Sequence, residues 1–137
     1  MIFVDTSAWL ALADSHDRSH GIAKEIARRI AQGEFGRQVT TNYVLVETLT
    51  LVRRQLGIPA ALALAKLISG SREVHVFWIE RAQHDQALGL MASHPDKRSS
   101  LTDSASFVVM RSMEISVAFS LDRGLVQAGF DVLPEAA

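Results

Sequence analysis

Ile2-Phe3-Val4-Asp5-Thr6-Ser7-Ala8-Trp9 is the stretch on which the fold turns. Its apolar start has the β-branched or aromatic character of a short buried strand, and a carboxylate followed by two hydroxyl residues ends it abruptly. Thr6 or Ser7 is suited to cap a helix over Ala8–Ala13, because a side-chain oxygen there can accept from a free backbone N–H. Strand, acid and helix start thus fall within a few residues. In an open α/β sheet such a turn lies at the carboxyl end of a strand, where ligands bind. Asp5 alone is equally readable as a turn residue favoured by the adjacent helix N-terminus. What decides between the readings is whether other acids recur at equivalent places.

Outward from this stretch, Asp14 to Asp17 reads as a turn into a helix over Ser19–Gln32, with Ile22, Ile26 and Ile30 at helical spacing and Gly33 as its stop. Val39-Thr40 is a short strand, and Thr41 or Asn42 caps a longer helix that runs to Leu56, before Gly57 and Pro59. A further helix spans Pro59 to about Ile68. Val74–Ile79 alternates and is rich in β formers, so it reads as a strand, followed by a helix over Arg81–Ala92 and a polar loop from His94 to Ser100. A helix from about Thr102 to Met113, a strand over Ser116–Ser120 and a last strand around Phe130–Val132 complete the chain. Strands alternating with helices, without tight hairpins, predict a mainly parallel sheet covered by helices.

The 137 residues suit a single domain, and 48% hydrophobic content supports one sizeable core, with residues 134–137 expected as a loose tail. No apolar stretch is long enough to span a bilayer and no basic segment precedes an extended apolar one, so a cytoplasmic location and no membrane contact are expected. The absence of cysteine excludes disulfides and thiolate metal sites. A net charge of −1 gives no global attraction to nucleic acid. Positive charge for RNA must therefore be local, and Arg28-Arg29, Arg53-Arg54, Lys97-Arg98, Arg111 and Arg123 are the candidates, each also readable as a solvated helix face.

Acids do recur. Asp122 follows the strand ending at Ser120, as Asp5 follows the first, although a plain Asx turn would also place it there. Asp103 falls in the first turn of a helix, and Glu47 lies within the long helix among apolar neighbours, either as an edge residue or facing a cleft. Two strand-end acids of a parallel sheet project to one edge, which helix-borne Glu47 and Asp103 can reach. Four converging carboxylates repel unless a cation neutralises them. Oxygen ligands without cysteine or a histidine pair favour Mg²⁺ or Mn²⁺ over zinc, and such a site in a small α/β protein performs phosphoryl chemistry. Asp5 and Asp103 are then the main ligands, Asp122 and Glu47 complete the cluster directly or through water, and Thr6 supports it from behind. Arg54, two turns beyond Glu47, is placed to meet a phosphate. The five histidines show no paired metal spacing and read as surface or satisfied residues.

These residues resemble those of the PIN domain, and more narrowly the VapC-like toxins of toxin–antitoxin pairs. The resemblance rests on Val4-Asp5-Thr6-Ser7-Ala8, Asn42-Tyr43-Val44-Leu45-Val46-Glu47-Thr48, Ser100-Leu101-Thr102-Asp103-Ser104 and Phe119-Ser120-Leu121-Asp122-Arg123-Gly124, in order along essentially the whole chain. It implies a three-layer α/β/α sandwich with a central mainly parallel sheet, and endoribonuclease activity with Mg²⁺ or Mn²⁺. Carried over by position, Asp5, Glu47, Asp103 and Asp122 match the acidic quartet, with Asp5, Asp103 and Asp122 as metal ligands and Thr6 as the hydroxyl after the first acid. Arg123-Gly124-Leu125 departs from the usual aromatic after the last acid, a change that bears on substrate contacts rather than metal. The resemblance further implies a small antitoxin that packs into a groove and inhibits the site, a homodimer, and a possible larger toxin–antitoxin assembly. The broad apolar faces of the helices between Ser19 and Ile68 agree with such partners. A PIN-like module that binds RNA or protein without cutting is the alternative, disfavoured because a binder has no need to gather four repelling acids. A phosphoacceptor-aspartate domain would need a second acid beside Asp5 or a phosphate-handling lysine near a later strand, and the sequence supplies neither.

Overall fold

The computed structural model describes residues 1–135. Five strands form one all-parallel sheet: β1 (Ile2–Val4), β2 (Gln38–Thr41), β3 (Val74–Phe77), β4 (Val117–Phe119) and β5 (Asp131–Leu133), in the order β3-β2-β1-β4-β5. The connections carry α1 (Thr6–Ala13) and α2 (His20–Ala31), then α3 (Asn42–Leu56) and α4 (Ile58–Gly70), then α5 (Arg81–Ala92) and α6 (Leu101–Ser112), and finally the short α7 (Gly124–Gln127). The chain steps outward from β1 to β3 and then crosses back to β4 on the other side of β1. Because parallel crossovers are right-handed, this reversal places helices on both faces of the sheet, giving the α/β/α sandwich. It also makes the gap between the carboxyl ends of β1 and β4 the topological switch point.

Ile2, Phe3 and Val4 are fully buried, as expected of a central parallel strand covered on both faces, and they pack with Val39, Val44, Phe107, Met110 and Phe119 in the main core. A smaller cluster of Ile79, Ala87, Ala105 and Val109 joins α5 to α6.

The helix expected from Ala8 begins earlier, at Thr6, and Asp5 rather than Thr6 or Ser7 occupies the extended cap position, with φ −90° and ψ 165°. Ser7 is drawn elsewhere: its Oγ accepts from the Leu121 N–H at 2.8 Å, across the switch point. Thr41 is the cap of α3, accepting from the Val44 N–H at 3.1 Å. The third strand stops at Phe77 instead of Ile79, because the Asn42 side chain takes the Ile79 N–H at 2.6 Å and pulls the chain out of the sheet. The helix expected from Pro59 to Ile68 runs one residue earlier and two later, with the proline in its first turn, where its missing N–H has no helical partner to lose. The helix α7, a single turn after Asp122, had no signal strong enough to be anticipated. Of the tail, Ala136 and Ala137 lie outside the described residues.

Candidate active site

The β1 and β4 backbones meet directly above the core, where the Asp5 N–H donates to Phe119 O at 3.0 Å. Asp5 follows at the end of β1, and Ser120 to Asp122 turn away at the end of β4. Asp103 enters from the first turn of α6. One carboxylate oxygen from each of Asp5, Asp103 and Asp122 lies within 4.8 Å of the others. The two strand-end acids and the helix-start acid anticipated from the sequence are thus brought together. Glu47, half-buried on α3, is not part of this group of three.

Each acid is held by one of its oxygens. The Ser120 hydroxyl donates to Asp5 Oδ2 at 2.8 Å. Asp103 Oδ2 accepts from the Ser100 N–H at 3.0 Å while the Ser100 hydroxyl accepts from the Asp103 N–H, a reciprocal cap that fixes the α6 N-terminus. Asp122 Oδ1 accepts from the Gly124 N–H at 2.7 Å in an Asx turn. The second oxygen of each acid has no hydrogen bond among the described residues and is free to meet a cation.

Electrostatics mark the group as uncompensated. Burial, only partly offset by the Ser120 hydroxyl and the Thr6 backbone, pushes Asp5 up to about 6, and the charges of Asp103 and Asp122 push the same way. Asp103 is likewise raised, by burial first and then by Asp122, against the capping bond from Ser100. No metal ion is included in the structure; the fit rests on the donors. All are carboxylate oxygens, which suit a hard divalent ion such as Mg²⁺ or Mn²⁺, and such an ion would remove the repulsion that raises Asp5.

Thr6 Oγ1 is buried without a partner, as an atom awaiting a water or ligand would be. Arg54 is exposed and lines an open cavity with Thr50, Arg53 and Pro59, away from the three acids' own lining. The histidines behave as satisfied residues where they are packed: His20 Nδ1 contacts Ala11 O at 2.7 Å, and His84 Nδ1 contacts the Tyr43 hydroxyl at 2.5 Å. Arg28 and Arg29 are ordinary surface pairs, with Glu25 and Glu34 respectively.

Two functional side chains carried no assigned role in the sequence reading. Ser120 donates to Asp5 and accepts from the Asp122 N–H at 3.2 Å, and Ser7 joins it at 3.1 Å. The signal was the hydroxyl two residues before Asp122, a spacing that lets one side chain bond the backbone two residues on.

A parallel sheet with three acids gathered at its switch point defines an acidic α/β site of the metal-binding kind. Residues 2–131 match the PIN domain, and the chain belongs to the PIN-domain family as a VapC-like member. It is 39% identical over 136 residues, covering 98% of this chain and 100% of the relative, to the 23S rRNA-specific endonuclease VapC20 of Mycobacterium tuberculosis. Ribonuclease VapC26 of the same organism is 28% identical over 123 residues, covering 89% of this chain and 87% of the relative. The crystal structure of VapC20, described as a sarcin–ricin loop cleaving toxin, superposes with a TM-score of 0.86 at 37% identity, covering 95% of this chain and 96% of that one.

Proposed function

We propose that this chain is a Mg²⁺- or Mn²⁺-dependent endoribonuclease, the toxin of a toxin–antitoxin pair held inactive by a small cognate antitoxin. The observation that carries the reading is the convergence of Asp5, Asp103 and Asp122 at the switch point of a VapC-like PIN domain. A divalent ion held there supplies Lewis-acid polarisation of a phosphodiester and a water acidified toward neutral pH. Asp5, Asp103 and Asp122 hold it through their free oxygens. Ser120 and the two backbone N–H donors keep those oxygens aimed, and Thr6 supports the set from the buried side. Glu47 acts from the neighbouring helix through a water, accepting a proton rather than binding the ion directly. Arg54 is assigned a phosphate contact at the outer end of α3.

The likeness to a 23S rRNA-specific endonuclease makes ribosomal RNA the first substrate to test. An apolar groove of about 410 Å³ between α1 and α4, lined by Trp9, Leu12, Ala60, Ala63, Leu64 and Leu67, supports antitoxin docking. Exposed Val46, Leu56 and Leu62 agree with a homodimer or a larger toxin–antitoxin assembly. A cytoplasmic location accords with the described residues containing no helix long and apolar enough to cross a membrane. One domain over residues 1–137 accords with a sheet that uses both ends of the described chain, from Ile2 to Leu133.

The test is cleavage of pooled cellular RNA by partner-free protein with Mg²⁺, Mn²⁺ or EDTA, beside Asp5→Asn. Metal-dependent cuts lost in the variant are expected; a folded, partner-free chain that cuts with neither metal would overturn the reading.

A further inference from the structure

Beside the acidic group lies a second, smaller cavity of about 200 Å³ whose chemistry is the opposite. His94 and Lys97 reach it from the loop before α6, Arg111 from α6 and Gln127 from α7, with Ser104 and Gly124 in its wall. Among the described residues no carboxylate lines it, and neither Lys97 nor Arg111 is in an ion pair. This contrasts with Arg28 and Arg29, which hold glutamates on the open surface. Two fixed cations turned to one space in a chain of net charge −1 repel each other, and an anion between them removes that cost. The space admits a phosphate group with waters, given about 30 Å³ per water.

The cavity shares its wall with the acids. Ser104 follows Asp103, and Gly124 donates its N–H to Asp122. On α6, Ser104, Phe107 and Arg111 fall at i, i+3 and i+7, one helix face, so Arg111 stands about 12 Å along the axis from Asp103. Resting on the nuclease reading above, we infer that His94, Lys97 and Arg111 form a subsite for a backbone phosphate of the RNA strand, next to the one being cleaved. The acidic group repels a polyanion until an ion fills it. The basic cavity supplies the local attraction that the chain's overall charge does not, and sets the direction in which the strand leaves the acids.

The double variant Lys97→Gln/Arg111→Gln tests this, since both side chains are exposed and their loss leaves the core intact. Binding of a short fluorescent single-stranded RNA is measured against salt in EDTA, which prevents cutting. Hydrolysis of bis(p-nitrophenyl) phosphate, which has no neighbouring phosphate, is measured with Mn²⁺. The variant is expected to bind RNA roughly tenfold or more weakly. Its slope of log K against log salt should be shallower by about 1.4, or 0.7 for each lost contact. Small-diester hydrolysis should match the wild type. Equal RNA affinity and slope in both proteins would overturn the subsite, as would a parallel loss of small-diester hydrolysis. If inorganic phosphate alone perturbs Arg111 while RNA binding ignores the double variant, the cavity holds a free anion and the strand assignment fails. A wild type that binds RNA with the Lys97/Arg111-dependent slope yet never cuts it would support the subsite and overturn the nuclease reading instead; no RNA binding at all would overturn both.

Discussion

The Ser120 hydroxyl donates to Asp5 Oδ2 at 2.8 Å and receives the Asp122 N–H at 3.2 Å, so one buried oxygen ties the two strand-end acids into a unit. Ser120 is 2% exposed, and its bond to Asp5 favours the ionised carboxylate against burial. Ser120→Ala removes that donor and leaves the Asp122 N–H to find another partner. A hydrogen bond to a charged group contributes about 1.5–3 kcal/mol, so the pH at which cleavage reaches half its maximum should move up by roughly one to two units. Ser120→Thr, which keeps the hydroxyl, should restore the wild-type profile. A pH profile unchanged in Ser120→Ala would show that Ser120 only packs.

Asp5→Asn should stabilise the metal-free protein. Asp5 rises from 3.8 to about 6 on folding, so the folded chain binds its proton more tightly than the unfolded one. The stability this provides is full below pH 4 and is lost as pH rises through 6. At pH 7 the ionised Asp5 then costs about 3 kcal/mol, and the neutral amide avoids that cost. In EDTA the variant should melt roughly 10 °C higher than wild type at pH 7. The difference should vanish near pH 3, and Mg²⁺ should raise the wild type alone. An Asp5→Asn protein that melts lower at pH 7 would make Asp5 a structural residue.

Much of this site could be read in the sequence because it is built from local events. A carboxylate that ends an apolar run, as Asp5 and Asp122 do, is placed at the sheet edge by the strand itself, and Asp103 is placed by the Ser100 cap. What was not legible depends on contacts far apart in the chain. Ser7 gives up capping because the Leu121 N–H, 114 residues away, needs an acceptor. Trp78 and Ile79 leave the expected strand because Asn42 competes for the Ile79 backbone. Glu47 reads as a fourth member because helical spacing gives its face but not its distance, and the gathered group contains three acids. Lys97 and Arg111 were visible as charges, but nothing local distinguishes them from paired Arg28 and Arg29.

The separation of Glu47 from the three acids predicts graded losses. Asp103→Asn removes a free oxygen offered to the ion and should abolish measurable cleavage. Glu47→Gln, acting through water, should cost about 10–100-fold in kcat, the range for partners that support a metal site from outside. Its affinity for Mn²⁺, measured by calorimetry, should stay near wild type, whereas that of Asp103→Asn should fall. Equal loss of Mn²⁺ affinity in both variants would put Glu47 among the direct ligands.

The groove between α1 and α4 predicts how the partner is lost without losing the enzyme. Leu67 is 63% exposed on α4 and lines the groove with Trp9 and Leu64, far in chemistry from the carboxylates. Burying one leucine in an interface contributes about 1.5–3 kcal/mol, and an aspartate in its place adds the cost of an unpaired buried charge. Leu67→Asp should therefore weaken binding of the cognate antitoxin by roughly 100-fold or more, while RNA cleavage by the partner-free variant stays at the wild-type rate. Because Leu67 already faces solvent, its replacement should leave the melting temperature within a few degrees of wild type. Titrating antitoxin into a cleavage reaction reads both quantities at once. Inhibition of Leu67→Asp at the wild-type antitoxin concentration would remove this groove from the interface and move the search to the exposed face of Val46, Leu56 and Leu62.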